Sequence, residues 1–258
     1  MTGTGCFIMN GPKRVLVTGA TGGIGRAIVT ALLREGHLVL ATGRNQGILD
    51  QICAEGAGTV RADLSTAEGL DRVAEAAGTP DVFISASGVG AFLHAHELSD
   101  ASIDRMLDVN AASPMKLLRR ILPGMMERGS GQIIFIASAA GKVSTKKASV
   151  YAASKAALLG YADALRLEMA PYGISVTSVN PGPVDTPFLD IASPLSGYRE
   201  SMAGYLTPPE KVAEAVTGVL GRPVRDVDLP WYMAAASRMH AVAPGLTERL
   251  GRNFFEKK

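Results

Sequence analysis

Residues 18–25 read Thr18-Gly19-Ala20-Thr21-Gly22-Gly23-Ile24-Gly25. The apolar run Val15-Leu16-Val17 leads in, and residues 25–35, where Ala27, Ile28, Ala31 and Leu32 share one helical face, lead out to Gly36. A strand that turns directly into a helix presents unpaired N–H groups and the positive end of a dipole, a natural seat for a pyrophosphate. Glycine lets the backbone approach such a ligand and lets the helix pack close on the strand. The plainer alternative is a tight strand–helix turn with no ligand, because glycine patterns alone are often coincidental.

Outward from this turn, strands are expected at residues 15–17, 38–41, 82–85, 133–137 and 175–179, with a weaker one at 59–61. Helical patterns fall at 25–35, 47–55, 66–77, 99–128, 150–170 and 210–220. Continuously apolar strands alternating with helices predict a parallel sheet covered on both faces. Right-handed crossovers then give an α/β, doubly wound, Rossmann-like fold in a single domain. Residues 1–12 read as a loose extension, and residues 185–207, too irregular for a core element, as a segment covering the site. In the tail from 223 to 258, Trp231, Ala235 and Met239 keep helical spacing until Pro244 interrupts.

The chain has 258 residues, 26 basic and 24 acidic, so its net charge of +2 offers no footprint for nucleic acid. No apolar run is long enough to span a bilayer, and no signal peptide opens the chain. Two cysteines, Cys6 and Cys53, imply no disulfide framework, and the expected location is cytoplasmic. His94 and His96 lack a third ligand nearby, so no metal is expected. Lys142, Lys146 and Lys147 read as a solvated loop, with attraction of an acidic substrate as the alternative.

The second strand ends in Ala41-Thr42-Gly43-Arg44-Asn45. An acid there would bind ribose hydroxyls, whereas Arg44 can fork onto a 2′-phosphate, unless it is merely a solvated arginine. Tyr151 and Lys155 lie four apart on a helix and so share a face, while Ser138 follows a strand. A nearby ammonium and a positive nicotinamide ring would favour the phenolate of Tyr151. The alternative is a packed Tyr beside a snorkelling Lys.

The glycine turn, Asn110, Ser138, Tyr151-Ala152-Ala153-Ser154-Lys155 and Pro181-Gly182-Pro183-Val184-Asp185-Thr186 occur in this order at suitable spacing. Together they resemble the single-domain branch of the short-chain dehydrogenase/reductase family, from about Arg14 to about Leu220. The resemblance implies hydride transfer between NADP(H), or alternatively NAD(H), and a carbonyl or alcohol substrate. It makes Tyr151 the general acid or base, Lys155 its modulator and ribose ligand, and Ser138 the group that bonds the substrate oxygen. Asn110 would hold a relay water, or else bend a helix. Gly19, Thr21, Gly23, Ile24, Gly25, Arg44, Asp63, Leu64, Ser87, Gly88, Val184 and Thr186 complete the implied cofactor set, with Asp63 at the adenine and Val184 and Thr186 at the carboxamide.

Phe92, Val143, Phe188, Tyr198 and Tyr205 are candidates for an apolar pocket. Two departures stand out. Ser85-Ala86-Ser87-Gly88 replaces the family's Asn-Asn-Ala-Gly, which alters a brace in the sheet, and residues 226–258 lack a Gly-rich closing strand. A homodimer through the helices flanking Ser138, or a homotetramer, is the expected assembly. Rival readings are an NAD-dependent alcohol dehydrogenase, a cofactor-sensing regulator without turnover, and a tail that serves as a membrane or partner surface.

Overall fold

The computed structural model describes residues 11–193 and 197–250. Cys6 and the end of the tail lie outside them. The first half runs β1 (Arg14–Thr18), α1 (Gly23–Arg34), β2 (Leu38–Gly43), α2 (Gln46–Ala54), β3 (Gly58–Arg61), α3 (Ala67–Ala77) and β4 (Val82–Ser85). It continues with α4 (Asp100–Leu107), α5 (Ser113–Arg128), β5 (Gly131–Ile136), α6 (Ser149–Met169) and β6 (Ile174–Pro181). Then come α7 (Phe188–Ala192), α8 (Tyr198–Ser201), α9 (Pro209–Thr217), β7 (Asp226–Leu229), α10 (Tyr232–Val242) and α11 (Pro244–Leu250).

The strands form one parallel sheet ordered β3-β2-β1-β4-β5-β6-β7. This is the expected doubly wound, Rossmann-like architecture. The strand order reverses between β1 and β4, so the crevice for a ligand opens past Thr18 and Ser85, which pair in register.

Strand periodicity builds the two faces of the core. Val15, Val17, Val82, Ile84, Ile134 and Ile136 point to one face, under Ile28 and Leu32 of α1 and Val212 and Val216 of α9. Leu16, Phe83, Ile133 and Phe135 point to the other, under residues of α3, α5 and α6. β4 and β5 are buried along their whole length, which is why they read as continuous apolar runs. Each fully buried Leu or Phe here contributes roughly 1.5–3 kcal/mol relative to exposure.

Three local expectations need correction. The single helix expected over 99–128 is divided by a π turn at Asp108–Ala112, which inserts a residue and buries Asn110. The tail contains a strand, β7, which its alternating acids disguised; at a sheet edge such charges are tolerated. Pro244 does not simply end the tail helix. It opens α11, because a first-turn position needs no N–H.

Candidate active site

The glycine turn is held by steric necessity. Gly19 has φ +67°, and a Cβ there would lie 2.5 Å from the Ser87 nitrogen, so the chain leaving β4 passes directly over the turn. A Cβ on Gly25 would collide with the Gly19 carbonyl, and one on Gly23 with the Thr186 side chain. Gly22 caps α1 without a side-chain hydrogen bond, and no acid occupies the first turn of α1. The leading N–H groups and the helix dipole are thus left to an anion.

Thr21 stands over Gly43 at the end of β2; a methyl on Gly43 would lie 2.5 Å from its Cγ2. Arg44 follows, exposed. Its charge helps hold Asp63 below the usual carboxylate range, although the largest cause is the Ser65 N–H, which donates to Asp63 Oδ1 at 3.0 Å. The Leu64 carbonyl accepts from Ser113 Oγ at 2.7 Å, fixing this turn to the start of α5.

Ser138 lies just past β5 and is buried, its Oγ accepting from the Ala140 N–H at 3.1 Å. It also hydrogen-bonds the half-buried Tyr151 hydroxyl. One turn further along α6, the buried Lys155 donates to the Ile136 carbonyl at 3.0 Å, and its Nζ lies 5.9 Å from the Tyr151 ring centroid. Helical spacing therefore brings both side chains to the carboxyl end of β5.

The expected lowering of the phenol draws on a nicotinamide ring as well as Lys155, and the protein's own groups alone push the other way. Phe92 and Phe188 pack on the Tyr151 ring with centroids at 5.5 and 5.8 Å. Burial pushes the phenol up to about 12, opposed only in part by the bond to Ser138. Burial also brings Lys155 down to about 8. Desolvation outweighs attraction between the protein's own groups.

Asn110 is fully engaged. Its Oδ1 accepts from the Val89 N–H at 2.8 Å, and its Nδ2 donates to the Val89 carbonyl and to Ser154 Oγ, each at 2.9 Å. The side chain therefore braces the loop carrying Gly88 against α6. A Cβ on Gly88 would lie 3.6 Å from both Asn110 Oδ1 and Lys155 Nζ.

A cavity of about 580 Å³ joins these parts. Gly23, Ile24, Gly25, Gly88, Ser138, Tyr151, Lys155, Val184 and Thr186 all line it. Gly19, Thr21, Arg44, Asp63, Leu64, Ser87 and Asn110 stand outside that lining, as supports of the turn or along the sheet's carboxyl edge.

Val184 bridges Thr207, and the Asp185 N–H donates to the Thr207 carbonyl at 2.9 Å, closing the neck of the covering segment. Arg199 clamps that segment. It donates to the Thr186 carbonyl at 2.6 Å and to Asp190 at 2.8 Å, and it pairs with Asp185. Of the expected pocket residues, Phe92, Val143, Phe188 and Tyr205 line the cavity, and the Tyr198 side chain lies outside the described set.

Arg199 and the lining by α10 escaped the sequence reading. Only the helical spacing of Trp231, Ala235 and Met239 pointed to α10. Trp231, at its start, is 80 % exposed. Lys142 is not a freely solvated lysine: its Nζ pairs with Asp228 at 2.7 Å and Asp226 at 3.7 Å. His94 and His96 stack on each other, and no group of three ligating side chains occurs among the described residues. No described helix is long and apolar enough to cross a membrane.

Comparison with known proteins accords with this geometry. Residues 13–194 match the family model described as short chain dehydrogenase. An uncharacterized oxidoreductase of Staphylococcus aureus (strain MRSA252) is 33 % identical over 222 residues, covering 82 % of this chain and 92 % of that one. The crystal structure of a short-chain dehydrogenase from Streptomyces avermitilis superposes with a TM-score of 0.81 at 27 % identity, covering 95 % of this chain and 98 % of the other. The crystal structure of a point variant of actinorhodin polyketide ketoreductase with NADPH gives 0.77 at 28 % identity, covering 84 % and 95 %. The chain belongs to the short-chain dehydrogenase/reductase family and is an oxidoreductase of that family.

Proposed function

We propose that the chain is an NADP(H)-dependent oxidoreductase that interconverts a carbonyl compound and its alcohol, with Tyr151 as proton donor in reduction. The observation that carries this reading is the meeting of Ser138, Tyr151 and Lys155 in one cavity with the N-terminus of α1. The residues fit a dinucleotide: Gly22, Gly23 and Gly25 leave the turn into α1 bare of side chains at those positions, and the start of α1 suits a pyrophosphate. When bound, a nicotinamide dinucleotide supplies or accepts the hydride; the actinorhodin relative carries NADPH.

Ser138 orients the substrate oxygen and stabilises charge that develops there. Tyr151 delivers the proton. Burial pushes the phenol up to about 12, so it carries at neutral pH the proton that reduction requires. Lys155, with one donor on Ile136, keeps two for ribose hydroxyls. The exposed Arg44, with no acid at the end of β2, supports NADP(H) over NAD(H). The exposed thiol of Cys53 suits a reducing, cytoplasmic setting.

The test is consumption of NADPH and NADH across ketones and aldehydes, with Tyr151→Phe as control. Turnover with NADPH that falls by about 10²–10⁴ in the variant is the expected result. Binding of both dinucleotides with no turnover in either direction would favour a cofactor sensor instead.

A further inference from the structure

We propose that α10 is the substrate-recognition wall of the cavity, and that the substrate is an uncharged carbonyl compound with a bulky apolar body. This rests on the reaction proposed above and extends it to substrate class. Met233, Ala236, Met239 and His240 of α10 line the cavity that also holds Ser138 and Tyr151. No residue of α10 is buried in the core, and the helix packs mainly on β7 and α11. Its apolar inner side is therefore available to whatever enters, and methionines there adapt to irregular shapes. Phe92, Val143, Phe188, Leu189 and Met202 extend the apolar lining towards the hydroxyl of Tyr151.

Charge decides the substrate's character. The charged side chains among the described lining residues are Lys142, Lys155 and Asp228, with the imidazole of His240 beside them. Lys142 and Asp228 neutralise each other at 2.7 Å. Lys155 gives one donor to the Ile136 carbonyl and, in the reaction proposed above, its other two to the cofactor ribose, and His240 Nδ1 is engaged with Thr247 Oγ1 at 2.8 Å. A carboxylate or phosphate on the substrate body would therefore lose water without gaining an uncommitted cation, whereas an apolar body gains from burial.

The experiment measures kcat/KM with NADPH for butanone, 2-acetylnaphthalene and 6-acetyl-2-naphthoate, using the full chain and Ala236→Trp. Ala236 is exposed, so the replacement fills the cavity mouth without disturbing the core. Ala236→Leu is a milder filling should tryptophan perturb the helix. The neutral naphthyl ketone is expected to exceed both others by about ten-fold. Ala236→Trp is expected to lower its kcat/KM by about ten-fold, chiefly through KM, and to lower that of the small butanone by a distinctly smaller factor.

Equal losses for both ketones, no loss, or preference for the naphthoate would overturn the proposal. If none of the three is reduced, melting-temperature shifts in the presence of NADP+ decide. A naphthyl-ketone shift that is absent, or unchanged in Ala236→Trp, overturns it. Butanone turnover sensitive to Tyr151→Phe sustains the reaction whatever α10 does. Size-selective binding without any turnover sinks the reaction and leaves the wall standing.

Discussion

Lys155 Nζ sits 5.9 Å from the Tyr151 ring centroid while donating to the Ile136 carbonyl at 3.0 Å. The ammonium is thereby held in a dry site where burial brings it from 10.5 to about 8. Below pH 8 the folded chain keeps a charge that water would solvate better, a penalty of ~3 kcal/mol. Between pH 8 and 10.5 the folded lysine loses its proton before the unfolded one, so this penalty fades and stability rises. Lys155→Met removes the penalty but strands the Ile136 carbonyl at a cost of ~1 kcal/mol. Denaturant titrations are expected to show the variant more stable by ~2 kcal/mol at pH 7 and no more stable at pH 10, with activity lost. Equal destabilisation at both pH values would contradict this account.

Arg44 tests cofactor choice. If Arg44 forks onto the 2′-phosphate as proposed, Arg44→Ala removes charge-assisted bonds worth ~1.5–3 kcal/mol, and the KM for NADPH rises about 10–100-fold. The KM for NADH should move by less than about two-fold, since a ribose hydroxyl offers the guanidinium no charge. A parallel loss of both cofactors would show that Arg44 only supports the turn.

Gly23, in the turn after β1, lies so close to Thr186 of the covering segment that a Cβ added there would overlap its side chain. Gly23→Ala should weaken dinucleotide binding by about ten-fold or more, because its methyl meets the Thr186 side chain. Adding Thr186→Ser deletes the Cγ2 in the way. Isothermal titration should then recover part of the affinity, a non-additive result expected of neighbours.

Asn110 makes three hydrogen bonds to Val89 and Ser154. Asn110→Ala strands those groups and should cost ~2–4 kcal/mol in chemical denaturation. It should also raise the KM for the dinucleotide, as the loop bearing Gly88 loosens. A stable variant whose only change is kcat would speak for a direct role in proton relay.

The fold was legible in the sequence where one physical cause dominates. β4 and β5 are apolar because both faces are covered, and residues 18–25 are glycine-rich because Ser87, Thr186 and the carbonyl of Gly19 leave no room for Cβ atoms. Ser138, Tyr151 and Lys155 were legible through spacing and resemblance, and their meeting in one cavity depends on where β5 ends and α6 begins. Their titration was not legible, because it depends on Phe92 and Phe188, which arrive from distant segments. The π turn leaves no compositional mark. β7 hides behind Asp226 and Asp228, whose shared partner Lys142 arrives from a distant segment. Arg199 is one more surface arginine until the fold sets it beside Asp185, Asp190 and the Thr186 carbonyl.

Trp231 is the chain's sole tryptophan, and it stands exposed at the start of the helix that roofs the cavity. The protein thus carries an intrinsic optical probe two residues before Met233 of the cavity lining, with no competing indole elsewhere. Its emission overlaps the absorption of a reduced nicotinamide, so energy transfer reports cofactor occupancy without a label. Its spectral position reports how wet the start of α10 is.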